Sequence, residues 1–314
     1  MKAAIVQGAG QAPRHGDFPE PSAETGEQHV RVSAAALNPL SRARASGTHY
    51  SSSGQFPFIA GVDGTGRLDD GRRVYFLLPR TPYGSMAEET VVAQAHCCPL
   101  PDALDAQTAA AIANPGMSSW AALSERARFK AGETVLINGA TGASGQLAVQ
   151  IARHRGASRV IATGRDVGIL EQLDADIAIP LTDDGDALEA RFKTIFAEGV
   201  DVVLDYLWGM SAERLLIAGA KAGAEAVPIR FVQIGTASGA DIPLPGALLR
   251  SSAIELMGSG IGSITLSRLV TAVKEMLEAA IPGRFTLPFR AVPLSDLDPA
   301  WAENARERIV FNMG

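Results

Sequence analysis

The sequence predicts an α/β protein of two lobes, one built on a doubly wound parallel sheet and one rich in β-strands. Its 314 residues exceed one ordinary hydrophobic core, and 46% apolar with 20% charged residues is the balance of a folded globular chain. Before residue 115, short strand-like segments are separated by turns. From residue 131 onward, strand and helix patterns alternate, which is typical of parallel βαβ units.

Local periodicity assigns each element. The first part has strand-like segments at residues 2–7, 29–34, 72–77 and 90–93. The second part has expected strands at residues 134–138, 159–163, 177–179, 200–205, 231–235 and 254–258, and expected helices at residues 146–155, 187–197, 210–222 and 265–280. Strand-like segments return at residues 285–292 and 308–312, so the tail is expected to rejoin the first lobe. We therefore predict one domain from residues 1–115 and 263–314, and a second from residues 116–262.

Charge and cysteine usage exclude several classes of protein. The net charge is −6 and the pI is about 5.5, with no basic stripe to neutralise phosphates, so no nucleic-acid partner is expected. The first residues lack the pattern of a signal peptide, and no apolar run reaches the roughly 18 to 20 residues of a membrane span. The two cysteines, Cys97 and Cys98, are adjacent and cannot join distant segments. A cytoplasmic protein without membrane contact is therefore expected.

A glycine-spaced turn joins the first strand and helix of the second part. The apolar residues 135–137 are followed by Gly139, Gly142 and Gly145, after which a helical pattern begins. Gly142 and Gly145 match the last two positions of the dinucleotide-binding pattern G-x-G-x-x-G, with Ala140 at the first. Such a turn offers free N–H groups and the positive end of a helix dipole to a pyrophosphate. The predicted cofactor-binding residues of this turn are Ala140, Thr141, Gly142, Ala143 and Gly145; the alternative is a connection that binds nothing.

The end of the second strand indicates which dinucleotide is bound. An NAD site usually has an acidic residue there to bind the ribose, whereas this strand ends in Thr163, Gly164 and Arg165. An arginine can bind a 2′-phosphate through two hydrogen bonds with a permanent charge. We therefore predict NADPH as the cofactor and assign all three residues to its site. The alternative is that Arg165 is a surface residue paired with Asp166 or Glu171.

In its motifs the chain resembles the zinc-free quinone oxidoreductases of the medium-chain dehydrogenase/reductase superfamily. The similar stretches are, in chain order, VRVSAAALNPLSRARASGTHY, FPFIAGVDGTG, DDGRRVY, GSMAEETVV, PGMSSWAAL, KAGETVLINGATGASG and RIVFNM. They span nearly the whole chain. The resemblance implies a Rossmann-type domain plus a GroES-like, partly open barrel domain, with cofactor and acceptor meeting in the cleft between the two.

The departures from the zinc-dependent members of that superfamily concern the metal ligands. Those enzymes have a cysteine and a G-H-E stretch where this chain has Asn38 and then Gly61, Val62 and Asp63. Two neighbouring cysteines cannot supply a four-cysteine structural site, and the histidines at positions 15, 29, 49, 96 and 154 show no ligand spacing. No metal site is therefore predicted. Without a metal to acidify a bound alcohol, hydride donation to an electron-poor acceptor is the better match.

The resemblance also implies further site residues. Asn38 is expected near the nicotinamide, and Tyr50 is expected to donate a proton or hydrogen bond to the acceptor. The alternatives are an Asn-Pro turn at Asn38, a tyrosine that only lines the cleft, and His49 as the acid. Solvent could equally supply the proton.

The remaining cofactor candidates are in segments that precede a helix or follow a strand. Ser118 is expected near the nicotinamide, with a helix N-cap as the alternative. Gly235 with Thr236, and Ser259 with Gly260, follow the fifth and sixth strands, and ordinary loop residues are the alternative there.

The sequence thus predicts a zinc-independent, NADPH-dependent reductase that transfers hydride to a small electrophilic acceptor, a quinone or an α,β-unsaturated carbonyl compound. The alternatives are an enoyl-thioester or alkenal double-bond reductase, and an NADPH-binding redox sensor with little turnover. The resemblance also implies a homodimer that pairs the edge of residues 254–258, and an unpaired edge strand is the alternative.

Overall fold

The computed structural model describes residues 1–47, 54–182, 184–303 and 307–314, and its strands and helices are numbered in chain order. The strands are β1 (Lys2–Val6), β2 (Arg14–Asp17), β3 (Glu27–Ala36), β4 (Phe58–Ile59), β5 (Asp63–Leu68), β6 (Arg73–Leu77), β7 (Glu89–Ala93), β8 (Cys97–Pro99), β9 (Thr134–Asn138), β10 (Arg159–Gly164), β11 (Ile177–Pro180), β12 (Val202–Asp205), β13 (Ile229–Gln233), β14 (Ile254–Gly258), β15 (Phe289–Pro293) and β16 (Arg308–Asn312). The helices are α1 (Pro39–Ser46), α2 (Ala106–Ala121), α3 (Ala143–His154), α4 (Val167–Gln172), α5 (Gly185–Ala197), α6 (Gly209–Ala222), α7 (Gly246–Arg250), α8 (Leu266–Ala280) and α9 (Leu297–Ala302). A π-helical turn, Ala122–Arg126, continues α2.

The chain divides into two compact units. The first comprises Met1–Asn114 together with Val273–Gly314, and the second is Pro115–Ala272. None of the described helices is long and apolar enough to cross a membrane.

The second unit contains a parallel sheet with the strand order β11-β10-β9-β12-β13-β14. Every neighbouring pair of these strands is parallel. Chain order reverses between β9 and β12, which is the point where doubly wound sheets bind ligands. The sheet confirms the predicted fold class. Its core includes one fully buried apolar residue from each of four strands: Leu136, Ile161, Val203 and Phe231.

Several boundaries in this unit differ from the prediction by one to three residues, and two of the differences have identifiable reasons. Helix α3 begins at Ala143, three residues before the expected position, because Gly142 already adopts extended N-cap geometry. Strand β13 ends at Gln233 and not at Gly235, because the N–H groups of Ile234 and Gly235 both donate to the carbonyl oxygen of Asp205 and the chain turns there.

The first unit is a mainly antiparallel β-structure. One sheet follows the order β15-β16-β3-β5-β6-β8, with β7 also paired to β3, and a smaller sheet has the order β2-β1-β4. The tail is part of the larger sheet, since β16 pairs antiparallel with β3 and parallel with β15. Strand β5 (DGTGRL) was not predicted because it contains two glycines. Close packing explains one of them, since a Cβ at Gly66 would lie 2.4 Å from the carbonyl oxygen of Arg31.

Candidate functional site

Polar side chains meet where β9, β10 and β12 end. Asn138 is paired in register with Thr163 on one side and with Asp205 on the other. All three are fully buried. Asn138 Nδ2 donates to Asp205 Oδ1 at 2.7 Å, and Thr163 Oγ1 donates to Asn138 Oδ1 at 2.7 Å. These bonds fix the three strand ends relative to one another beneath the glycine turn.

The glycine turn leads from β9 into α3. The N–H groups of Gly139 and Ala140 donate to the carbonyl oxygen of Thr163 at 3.1 and 2.7 Å, which anchors the turn to β10. A Cβ at Gly145 would lie 2.3 Å from the carbonyl oxygen of Gly139 and 2.5 Å from the Cα of Ala140. This position therefore accommodates only glycine, as close packing of helix on strand requires.

The start of α3 offers hydrogen-bond donors to a ligand. Gly142 is exposed, occupies the N-cap, and has no side chain to bond the first-turn N–H groups. A side chain at Gly142 would meet nothing closer than the Gly139 carbonyl oxygen at 3.7 Å, so its absence leaves open space. Thr141, Ala143 and Ser144 around it are partly exposed, whereas Ala140 is buried beneath them. Open space beside free N–H groups at a helix N-terminus fits a pyrophosphate group.

Arg165 follows the end of β10 and is exposed. No ion pair joins it to Asp166 or Glu171 within the described residues, so the alternative of a paired surface arginine is not observed. Asp166 instead caps α4, accepting a hydrogen bond from the N–H of Ile169 at 3.1 Å. The guanidinium is therefore available to an anion beside the strand end.

Asp205 is a buried carboxylate that the sequence analysis did not select. It accepts hydrogen bonds from Asn138 and from the N–H groups of Leu207 and Trp208, the last two at 3.1 and 3.2 Å. Burial raises the pKa of Asp205 to about 6, while these hydrogen bonds act to lower it. An acid that directly follows the apolar residues 202–204 was the signal that could have identified it.

Ser118 and Ser119 lie within α2, so an N-cap at Ser118 is wrong. Ser118 Oγ donates to the carbonyl oxygen of Pro115 at 2.8 Å. Ser119, which is fully buried, shares a hydrogen bond of 2.7 Å with the hydroxyl of Tyr206, directly after β12. Burial raises the pKa of Tyr206, and its hydrogen bonds to Ser119 and Ser118 oppose that effect. The two serines thus hold a tyrosine, which the sequence analysis missed, at the strand ends.

The last two predicted cofactor pairs follow the ends of β13 and β14. Gly235 is packed against the Tyr206 backbone, where a Cβ would lie 2.6 Å from the carbonyl oxygen, and Thr236 beside it is exposed. The N–H of Ser259 donates to the carbonyl oxygen of Gln233 at 2.9 Å, and Gly260 is exposed. Parallel strands bring both pairs to the same edge of the sheet as Asn138 and Asp205.

In the first unit, Asn38 belongs to a buried polar cluster. It is 2% exposed and caps α1, its Oδ1 accepting from the N–H of Ser41 at 2.7 Å. Its Nδ2 donates to Asp63 Oδ1 at 2.9 Å, and Tyr75 donates to Asp63 Oδ2 at 3.1 Å. Both polar atoms of Asn38 therefore have structural partners, and a contact with cofactor or acceptor would need its second amide hydrogen. Residue 39 begins a helix rather than an Asn-Pro turn.

Asp63 is the centre of that cluster. Burial raises the pKa of Asp63 to about 6, against the opposing effects of the Arg308 charge and of the hydrogen bonds from Tyr75 and Asn38. Nε and Nη2 of Arg308 are buried, and neither has a hydrogen-bond partner within the described part of the chain. Tyr50 and His49 lie outside the described residues.

No group of three or more His, Cys, Asp or Glu side chains is placed to hold a metal ion in the part of the chain that the structure describes. Cys97 and Cys98 are free thiols. Burial raises the pKa of Cys97 to about 11 and that of Cys98 to about 12, so both are protonated at neutral pH.

Comparison with known proteins finds relatives that match nearly the whole chain or about half of it. The probable NADPH-dependent quinone reductase of Emericella nidulans is 28% identical, over 96% of this chain and 97% of the relative. The 2-methylene-furan-3-one reductase of Solanum lycopersicum is 30% identical, over 53% of this chain and 48% of the length of that relative. No family model matches the chain.

Among solved structures, the quinone oxidoreductase of Thermus thermophilus, also determined with NADPH, superposes with a TM-score of 0.81 at 28% identity. The match covers 100% of both chains. The fold of this chain, its glycine turn and the two matches over nearly its whole length all point to the same group of proteins. In sequence and in fold the chain therefore resembles, over its whole length, the quinone oxidoreductase-like proteins of the medium-chain dehydrogenase/reductase superfamily.

Proposed function

We propose that the protein is an NADPH-dependent oxidoreductase that reduces quinones or α,β-unsaturated carbonyl compounds. The observation that carries this proposal is the nucleotide cradle of the second unit. It combines exposed Gly142 at the start of α3 with Arg165 after β10, which has no ion-pair partner among the described residues and lies where an NAD site usually has an acid. The named activities of the relatives support the same cofactor and acceptor class.

Different residues of the cradle would bind different parts of the cofactor. The first-turn N–H groups of α3 would bind the pyrophosphate, and Arg165 would bind the 2′-phosphate. Ser118, Thr236 and Ser259 are proposed to contact the nicotinamide half, since Ser118 bonds the Tyr206 hydroxyl after β12, and Thr236 and Ser259 follow the ends of β13 and β14. Once bound, NADPH supplies a hydride, which with one proton reduces a quinone towards its hydroquinone, or an enone to its saturated ketone, and leaves NADP⁺.

We propose two possible sources for the proton that accompanies the hydride. Tyr50 could supply it directly, and solvent could supply it without a side-chain acid. Asn38 is proposed to act by positioning, because its amide is already engaged with Asp63 and with the start of α1. The buried Asp63 would keep that amide in one orientation.

A double-bond reductase is the second candidate. The specific observation in its favour is the tomato relative, whose name describes reduction of a compound with a methylene group conjugated to a ketone. Enoyl thioesters and alkenals share that conjugated arrangement. An NADPH-binding redox sensor with little turnover would use the same cradle, and it would bind NADPH without consuming any acceptor.

We also propose a cytoplasmic homodimer. Strand β14 ends the order of the parallel sheet, and its residues are half-buried or exposed along its whole length. Free thiols at Cys97 and Cys98 suit a reducing compartment.

The test of the function is oxidation of the cofactor. NADPH and NADH are mixed separately with the purified protein and a panel of quinones, enones and alkenals, with a metal chelator present throughout. Rapid loss of NADPH absorbance that is insensitive to the chelator is expected, and the preferred acceptor decides between the two reductase activities. Tight NADPH binding without turnover of any acceptor would contradict the reductase and support the sensor.

A further inference from the structure

A small cavity of about 170 Å³ lies within the first unit, beside α1. Its lining includes Ser41 and Arg44 from α1, Phe56 and Phe58 from the segment around β4, and Thr81 and Tyr83 from the loop after β6. Arg44 is the one charged residue among the described residues that line it. The volume is below the roughly 300 Å³ of sites for drug-sized ligands, so it suits a ligand part of one or two rings.

Arg44 has no partner for its charge within the described part of the chain. It is half-buried, and burial lowers the pKa of its guanidinium, yet no described acid or carbonyl oxygen forms an ion pair or hydrogen bond with the side chain. A guanidinium remains charged in proteins, so this site holds a positive charge that is partly removed from water.

Arg42 on the same helix shows what a structural arginine looks like in this unit. Its guanidinium donates to the carbonyl oxygens of Trp301 and Glu303 at 2.5 and 3.1 Å, and it lies 5.4 Å from the centre of the Trp301 ring. Arg44 makes no hydrogen bond, ion pair or ring contact of this kind with any described residue. The contacts of Arg42 therefore account for an arginine at that position, whereas no contact with the described part of the chain accounts for one at Arg44.

Ser41 supplies a second unsatisfied group to the same cavity. The residue is 1% exposed, and its Oγ is buried without a hydrogen-bond partner within the described residues. Ser41 and Arg44 are three residues apart on one helix, a spacing that places both side chains on one face. A buried hydroxyl without a partner is costly, and a ligand oxygen that accepted its hydrogen bond would remove that cost.

The lining of the cavity also includes an aromatic pair. Phe56 and Phe58 form a tilted ring pair with centroids 5.5 Å apart. Flat apolar walls of this kind favour a ring over a flexible chain. The cavity thus combines a surface for a flat ring with a cation and a hydroxyl donor for an oxygen anion.

We propose that the acceptor of this oxidoreductase is a ring-containing compound that carries a carboxylate, which Arg44 and Ser41 bind while the ring packs against Phe56 and Phe58. This inference rests on the proposed reductase function, and it specifies the acceptor within the quinones and enones. Arg44 determines specificity and takes no part in the hydride transfer.

Binding of simple probes tests the cavity without any turnover. Titration calorimetry would compare benzoate with benzamide, which has the same ring without the charge, and with acetate, which has the charge without the ring. We expect benzoate to bind at least about tenfold more tightly than either. Arg44→Met should abolish the preference for benzoate, and Arg44→Lys should retain part of it. Arg31→Met, which removes an exposed arginine on β3, should leave it unchanged.

A matched pair of acceptors tests the same point in catalysis. A naphthoquinone with a propanoate side chain and its propanamide analogue have the same reacting ring. The wild type should show a KM at least about tenfold lower for the propanoate, with similar kcat, and Arg44→Met should equalise the two KM values. Thermal melting of each variant checks that the fold is retained.

The outcomes separate the inference from the function on which it rests. Reduction of both quinones with equal KM, or benzoate binding that Arg44→Met leaves intact, overturns the carboxylate site and leaves the reductase standing. Acetate binding as tightly as benzoate shows a general anion site and also overturns it. Benzoate binding that depends on Arg44, without NADPH oxidation by any acceptor, supports the site and overturns the reductase.

Discussion

Arg165 is the residue on which we expect the choice of nucleotide to depend. Replacing it by alanine removes a permanent charge that has no partner among the described side chains, so the fold should be unaffected. Loss of a charge-assisted hydrogen bond should raise the Kd for NADPH by about 10- to 100-fold and leave the Kd for NADH unchanged. Fluorescence titration with each nucleotide measures both constants.

Arg250→Ala is the control for that substitution. Arg250 is also exposed, but it lies at the end of α7, just before β14 begins, and therefore near the opposite edge of the sheet from the strand ends. It should change neither constant. Equal losses of both nucleotides in Arg165→Ala would refute the 2′-phosphate assignment.

Asp63 should make the stability of the protein depend on pH. Burial raises its folded pKa to about 6 from an ordinary value of 3.8, so between these values the folded chain holds a proton that the unfolded chain has released. The free energy of unfolding should therefore fall as pH rises from about 4 to about 6, by up to about 3 kcal/mol from this residue. Asp63→Asn has no such proton and should show a shallower fall.

Urea unfolding at a series of pH values between about 4.5 and 7.5 measures this difference. The two proteins are compared by slope, because the substitution also removes the negative charge that Arg308 faces. Asp205, whose pKa burial also raises to about 6, contributes equally to both curves. Parallel curves for wild type and Asp63→Asn would show that Asp63 is not the titrating group.

At the scale of elements, the junction of β9 with α3 contains one glycine that close packing requires and one that is proposed to leave room for a ligand. Gly145→Ala places a Cβ 2.3 Å from a carbonyl oxygen and should lower the free energy of unfolding by about 1–3 kcal/mol. Gly142→Ala meets no atom closer than 3.7 Å and should leave stability nearly unchanged. Its new methyl group should nevertheless weaken NADPH binding, because it occupies the space proposed for the pyrophosphate. Denaturant unfolding and nucleotide titration of both variants distinguish the two effects. Equal stability of the two variants would contradict the close packing at Gly145.

The elements that sequence patterns predict best are short apolar-rich strands. The bounds of β9, β14 and β16 match the prediction, because each is a short apolar-rich segment with turn residues nearby. Helix α2 was missed because Pro115 predicts a break, yet the proline is accommodated inside the helix. Helix α1 was missed because its residues have little apolar periodicity, and its start depends on the Asn38 cap.

The same contrast holds for the candidate site. The glycine turn could be predicted because its spacing along the chain is itself the structural requirement. The bond between Ser119 and Tyr206, and the pairing of Asn138 with Asp205, join residues far apart in sequence and became visible only in the folded sheet. The cavity at Arg44 was missed because an arginine on a polar helix has no local signature.

At the scale of the whole molecule, the edge strand β14 should govern assembly. Leu256 is 36% exposed on that strand, and a lysine there would oppose edge-to-edge pairing. We expect the wild type to be dimeric and Leu256→Lys to be monomeric in size-exclusion chromatography with light scattering. Leu249→Lys, at a residue of α7 that is 42% exposed, should remain dimeric. A monomeric wild type, or a dimeric Leu256→Lys, would contradict the proposed interface.

The interrupted course of the first unit has a consequence for biosynthesis. Residues 34–36 of β3 pair with β16, and the chain of the entire second unit is synthesised between these two strands. At ordinary translation rates this leaves the alanine-rich end of β3 without that partner for some tens of seconds on the ribosome, roughly 15 to 55 seconds. The second unit can complete its own sheet in that time, whereas the first must wait with an unpaired strand edge. A nascent chain of this protein is therefore expected to expose that strand edge until β16 has been synthesised.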